Sequence, residues 1–95
     1  GATPEKIVKA FKLISMDTKV KVILVNIFAG INRCDWVAEG IVQALSKIEI
    51  KHPLVIRLAG TNVEKGNEIL KKSNINYIEA STLEDAANKA VKALG

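Results

Sequence analysis

Aromatic residues are scarce in this 95-residue sequence, at two Phe, one Trp and one Tyr. A hydrophobic core must therefore be built from Ile, Val, Leu and Ala, and the 48% apolar content is too high for a disordered chain. The single cysteine, Cys34, excludes an internal disulfide and a cysteine-based zinc site, and fits a reducing compartment. No apolar run approaches the roughly 18 residues of a membrane span. The longest, Val22–Val25, stops at Asn26. The sequence shows no basic segment leading into an apolar stretch, so no secretory signal is visible. It begins at Gly1 rather than Met, which suggests a piece of a longer polypeptide.

Charge of one sign is not concentrated either. Fourteen cations against ten acids give a net charge of +4, but twelve of the cations are Lys, scattered from Lys6 to Lys92. Most fall on the polar faces of predicted helices. A nucleic-acid reader concentrates Arg and interleaves aromatics along a groove, and neither pattern is present. The basic balance reads as a solvated surface, with no nucleic-acid or membrane partner expected.

Two hydrophobic periods alternate along the chain. Thr3-Pro4 has the hydroxyl N-cap and first-turn proline of a helix start, and Ile7, Val8, Phe11 and Ile14 continue it to about Met16. Val20–Phe28 is β-rich, and apolar on both faces from Val22 to Val25, as in a strand covered on both sides. After Ala29-Gly30, a helix starting near Ile31 or Asn32 carries Val37, Ile41, Ala44, Leu45 and Ile48 on one stripe. Pro53 opens a second strand, Leu54–Leu58. Thr61 with Glu64 suggests a capping box for a third helix, whose inner face is Val63, Gly66, Ile69 and Leu70. Ser73-Asn74 can end that helix through a left-handed cap. Tyr77-Ile78 anchors a short third strand, and Ser81 with Glu84 suggests another capping box. Leu83, Ala86, Ala87, Ala90, Val91 and Leu94 then form a helical stripe. Strands alternating with helices predict an α/β fold, a parallel sheet in one domain spanning residues 1–95. Three strands are few for such a sheet, and a further strand ahead of the first helix is expected.

Ligands of open parallel sheets bind outside the carboxyl ends of the strands, where helix N-termini converge. The loops at that pole are predicted to be Phe28–Arg33, Ala59–Asn62 and Ala80–Thr82. In the first, Ala29-Gly30 turns with little bulk, and the following helix would offer backbone N–H groups to an anion at Ile31, Asn32 and Arg33. Arg33 is unfavourable in a first helical turn unless it faces an anion, while a plainer reading makes Asn32 a cap with Asp35 closing a box. His52 precedes Pro53 at the amino end of a strand, roughly 15–20 Å from these loops. It reads as a surface residue on the wrong pole. Cys34 sits in the first helical turn with no His at its pole, which favours packing or a subunit contact over nucleophilic catalysis. Trp36, one helical turn on, fits either packing or a partner surface. Strand-end acids, a Walker A loop, G-x-G-x-x-G and metal-ligand spacing are all absent. No catalytic residue and no metal site is therefore assigned within this chain.

The run Val22–Asp35, V-I-L-V-N-I-F-A-G-I-N-R-C-D, resembles the L-V-N-I-F-G-G-I-x-R-C-D signature of the succinate–CoA ligase β subunit family. Ala38–Ile41 resembles its I-A-x-G-I, and Pro53–Asn62 its P-V-V-V-R-L-x-G-T-N. Gly1-Ala2-Thr3 is similar to the end of its G-G-G-A-T turn, and Leu83–Ala87 to its L-x-D-A-A. The resemblance implies a three-layer flavodoxin-like CoA-ligase domain, the C-terminal part of a longer subunit, with its first strand outside this sequence. It implies an enzyme that joins a dicarboxylate to CoA through an acyl phosphate and a phosphohistidine, using ATP or GTP, Mg2+ and CoA. The nucleotide-binding region lies upstream in that family, and the phosphohistidine and CoA site belong to a partner α subunit, so no cofactor is expected on these 95 residues. The second helix would cradle the phosphohistidine through Ile31, Asn32 and Arg33, and Gly30, Ile31 and Asn32 would contact the dicarboxylate. A cytoplasmic or mitochondrial-matrix location follows from the same likeness.

Two positions depart from the pattern. Ala29 stands at the first Gly, and Asn32 stands where Val or Met is commoner. An amide can hydrogen-bond a hydroxyl that Val or Met cannot, which makes malate an alternative to succinate. A non-catalytic α/β anion-binding or interaction module is the competing class, because the chain by itself holds no nucleophile.

Overall fold

The computed structural model describes residues 4–17, 19–29, 33–48 and 50–94. The elements run α1 (Pro4–Met16), β1 (Ile23–Ala29), α2 (Cys34–Lys47), β2 (Leu54–Gly60), α3 (Val63–Lys72), β3 (Ile78–Ala80) and α4 (Leu83–Leu94). The strands form one parallel sheet in the order β1-β2-β3, so each helix between two strands is a crossover.

Alternation along β2 divides the core. Leu54, Ile56 and Leu58 turn to one face, where they meet Phe11 of α1, Ile23 of β1, Val37, Ala38 and Ile41 of α2, and Leu70 of α3. Val55 turns to the other face with Ala80 and Ala86, beneath α4. The result is a three-layer α/β arrangement of the flavodoxin-like kind, with α1, α2 and α3 on one side and α4 on the other. Ile41, Ile56, Leu70 and Val55 are fully buried aliphatics. Each contributes about 1.5–3 kcal/mol by leaving water, which lets a core with few aromatics suffice.

The structure moves several boundaries. β1 begins at Ile23 rather than Val20, because pairing starts at Ile23↔Leu54 and the Ile23 N–H donates to the Pro53 carbonyl at 2.9 Å. Proline can accept there but not donate. The strand is also less covered than its apolar run suggests, with Leu24 41% exposed. α3 does not use the Thr61/Glu64 box. Its N-cap is Asn62, whose side chain makes no capping bond. Nor does α3 end on a left-handed Asn. Ser73 is extended, its N–H donates to the Ile69 carbonyl at 3.2 Å, and its Oγ donates to the Leu70 carbonyl at 2.6 Å. The serine hydroxyl thus satisfies a terminal carbonyl that a left-handed cap would otherwise serve.

The last capping box shifts by one residue. Thr82 Oγ1 accepts the Asp85 N–H at 3.0 Å, and Asp85 Oδ2 accepts the Ser81 N–H at 3.0 Å. Hydrogen bonds from Ser81 and Lys89 hold the Asp85 carboxyl below its ordinary pKa. The α4 stripe is likewise narrower than its sequence predicts. Ala86 is buried, whereas Leu83, Val91 and Leu94 are 55%, 66% and 53% exposed. Small residues let α4 lie close to the sheet, and the large ones flank the contact.

Candidate functional site

The carboxyl pole is formed by Ala29, Gly60 and Ala80 at the strand ends and by the starts of α2, α3 and α4. Two loops meet there. The turn after β2 is made possible by Gly60 at φ 115° and by Asn62 at φ 58°, ψ 35°, a left-handed conformation that Asn tolerates better than most residues. Across from it, α2 starts at Cys34, with Arg33 as its extended N-cap residue. This is two or three residues later than the sequence suggests, and Arg33 lies before the first turn instead of inside it. Gly30, Ile31 and Asn32 fall outside the described residues.

Cys34 ties the two loops together. Its backbone N–H donates to the Thr61 carbonyl at 2.8 Å, and its thiol approaches the Ala59 carbonyl at 3.4 Å. The helix therefore does not offer its first N–H outward, as its position alone would suggest. The Cys34 side chain is fully buried, which settles for packing the choice that the sequence leaves open. Gly66 of α3 permits the close approach: a Cβ there would lie 2.9 Å from the Cys34 carbonyl oxygen.

Around this junction sits a polar cluster. Arg33 grips Asp35 with two bonds, Nε to Oδ1 at 3.1 Å and Nη2 to Oδ2 at 2.6 Å. This is the paired geometry in which a guanidinium matches a carboxylate best. The Asp35 side chain is 6% exposed and that of Arg33 is 39% exposed. Burial pushes the Asp35 pKa up, but the hydrogen bonds and charge of Arg33 outweigh it, and the carboxyl is held below its ordinary value. Asn62 closes the cluster from the other loop. With its amide oxygen facing Arg33 it accepts from Nε at 2.8 Å and Nη2 at 3.1 Å, whereas the reverse orientation leaves a 3.5 Å contact from Nδ2 to Asp35. The first orientation gives the better hydrogen bonds. The Arg33 guanidinium also lies 4.8 Å from the Trp36 ring centroid, within cation–π range.

The charge of Arg33 thus meets Asp35 and Trp36 inside the chain, where its sequence position implies only an outside anion. Sequence reasoning left Asp35 as part of a simple cap and gave Asn62 no role. The spacing R-x-D is a local signal for the first. Only the contact between the two loops reveals the second. Phe28 is 78% exposed and Trp36 57% exposed, leaving aromatic surface on both elements that border residues 30–32. His52 lies at the opposite pole, half-buried in an open cleft with Tyr77. Among the described residues, no three His, Cys, Asp or Glu side chains come together in a way that could hold a metal ion. No helix among them is long and apolar enough to cross a membrane.

A family model described as CoA-ligase matches residues 1–91. The chain belongs to the CoA-ligase family. It is 56% identical over 94 residues to the protein named succinate–CoA ligase (ADP-forming) subunit beta of Cereibacter sphaeroides, covering 99% of this chain and 24% of that protein. It is 55% identical to the protein of that name from Paracoccus denitrificans, with the same coverage. Identity is also 55% to the mitochondrial subunit beta of Solanum lycopersicum, covering 99% of this chain and 22% of that protein. The chain spans about a quarter of the length of these curated relatives. The CoA-ligase match agrees with the three-layer fold and with the resemblance carried by Val22–Asp35.

Proposed function

We propose that this chain serves as the C-terminal CoA-ligase domain of a succinate–CoA ligase β subunit. In that role it presents its carboxyl pole to the phosphohistidine of an α subunit and to a dicarboxylate. The observation that carries the reading is the 56% identity over nearly the whole chain to proteins of that name. The geometry supports it at the pole. A cation, Arg33, is oriented by three neighbours beside residues 30–32, and exposed Phe28 and Trp36 offer apolar area for a protein partner.

Within this reading Gly30, Ile31 and Asn32 contact the dicarboxylate, and Ile31, Asn32 and Arg33 face the phosphoryl group. The pole suits anions and does not fit Mg2+: its buried carboxylate, Asp35, is already taken up by Arg33. Mg2+ and the ATP or GTP are accordingly assigned to the remainder of the β subunit, and CoA to the α subunit. The chemistry supplied there is acyl activation by phosphoryl transfer. These 95 residues supply orientation and an electropositive wall rather than a nucleophile. Within this reading the location is cytoplasmic in a bacterium or the matrix in a mitochondrial form, and the Solanum lycopersicum relative is named mitochondrial.

A second reading, with malate as the dicarboxylate, rests on Asn32, whose amide can bond a substrate hydroxyl. Both readings are tested by placing this chain in the Paracoccus denitrificans β subunit in place of its matching 94 residues, together with its α subunit. Turnover of succinate and malate is then measured with Asn32 and with Asn32→Val. Formation of acyl-CoA from either acid supports the ligase role. A malate preference lost in Asn32→Val supports the second reading, and equal preference in both proteins removes it. Failure of a folded, associated chimera to turn over either acid contradicts the ligase role.

A further inference from the structure

Asn62 faces Arg33 from the turn after β2. It is the only described non-glycine residue with a positive φ, it heads α3 without capping it, and it comes from a different loop than residues 30–33. If only backbone shape mattered there, glycine would adopt φ 58° at lower cost. What asparagine adds is the amide oxygen 2.8 Å from Arg33 Nε and 3.1 Å from Nη2. The same two guanidinium nitrogens also donate to Asp35 Oδ1 and Oδ2, and the guanidinium carbon lies 4.8 Å from the Trp36 ring centroid. A flexible cation is thereby fixed in position, with two of its nitrogens shared by acceptors from both loops.

We propose that Asp35 and Asn62 are positioning residues that lock Arg33, so that the turn after β2 forms a second wall of the candidate site. The lock stands on the contacts alone; its consequence for turnover rests on the ligase reading above. Held this way, Arg33 presents a fixed electropositive face to a phosphoryl or carboxylate group without reorganising when the group arrives. Asn62 acts through Arg33 and need not touch the ligand. The Cys34 N–H bond to the Thr61 carbonyl keeps the two loops in register, and Gly66 allows that register.

Asn62→Gly and Asn62→Asp separate the lock from a purely structural role. Glycine keeps the left-handed turn and removes the acceptor. Aspartate keeps an acceptor and tolerates the left-handed conformation. Trp36 is the sole tryptophan, so acrylamide quenching in the 95-residue chain reports how well the guanidinium covers its ring. Asn62→Gly is expected to increase quenching with little change in unfolding temperature, and Asn62→Asp to leave it near the parent value. In the chimera, Asn62→Gly is expected to lower kcat about tenfold or more with the nucleotide KM unchanged, and Asn62→Asp to restore it. Equal quenching in the parent and Asn62→Gly chains overturns the lock, and equal kcat in an active chimera overturns the positioning role. A chimera without turnover, beside the expected quenching pattern, sinks the ligase reading and leaves the lock standing.

Discussion

Replacing Gly66 with alanine tests the contact that brings the two pole loops together. An added Cβ would lie 2.9 Å from the Cys34 carbonyl oxygen and 3.0 Å from its carbonyl carbon and Cβ. Most of the obstacle is main chain, which cannot rotate aside as a side chain would. Cys34 is also fixed on its other side, by its N–H bond to Thr61 and its thiol contact with Ala59. Forcing an extra carbon into such a site costs about 1–3 kcal/mol. Alanine offsets about 0.8–1.0 kcal/mol through its higher helix propensity. Because α2 must separate from α3 to make room, the cost belongs in the upper part of its range. The expected net loss is about 1–2 kcal/mol, which for a domain of this size lowers Tm by about 4–16 °C. Thermal unfolding of the 95-residue chain followed by circular dichroism measures it, with Gly66→Ser expected to lose at least as much. An unchanged or higher Tm for Gly66→Ala would refute the close approach.

Three further outcomes follow from named contacts. The Asp35 carboxyl is held below its ordinary pKa, so its contribution to stability is present above about pH 4 and is lost as pH falls through the lowered folded value. Acid unfolding of Asp35→Asn should therefore be less steep below pH 4 than that of the parent, and identical acid limbs would contradict the pairing with Arg33. Thr82→Ala should lower stability by about 1 kcal/mol through loss of the α4 cap, and more than Ser81→Ala; chemical denaturation showing the reverse order would restore the Ser81/Glu84 box. Ile41→Ala should cost about 2–5 kcal/mol, while Leu83→Ala, at a site 55% exposed, should stay within about 0.5 kcal/mol. Equal losses in denaturant titrations would show that α4 packs differently.

The order of helices and strands was legible because two periods alternate cleanly, and because β2 keeps Leu54, Ile56 and Leu58 on one face. Details of the ends were not. Thr61/Glu64 and Ser81/Glu84 both match the spacing of a capping box, yet Thr82 takes the α4 cap and the α3 N-cap, Asn62, makes no side-chain capping bond. Asp85 bonds Ser81, and Asn62 turns toward Arg33. The α4 stripe carried no sign of which of its apolar residues would meet the sheet, since one helix over three strands covers only a narrow band. At the candidate site, strand polarity correctly separated the carboxyl pole from His52. Arg33 was also singled out, because a cation is out of place at a helix start. Its partners escaped notice for two reasons. Asp35 looked like a cap, and Asn62 lies 29 positions away on another loop, brought near only by the Cys34–Thr61 and Gly66 contacts.

The central proposal is that this chain's carboxyl pole handles a phosphohistidine and a dicarboxylate together. The most direct measurement is the loss of labelled phosphate from a phosphorylated α subunit paired with the β-subunit chimera that carries this chain. Release is expected to require succinate or malate together with CoA, and to slow about tenfold or more in Asn62→Gly. A phosphorylated complex that assembles but keeps its label whichever dicarboxylate is added would contradict it.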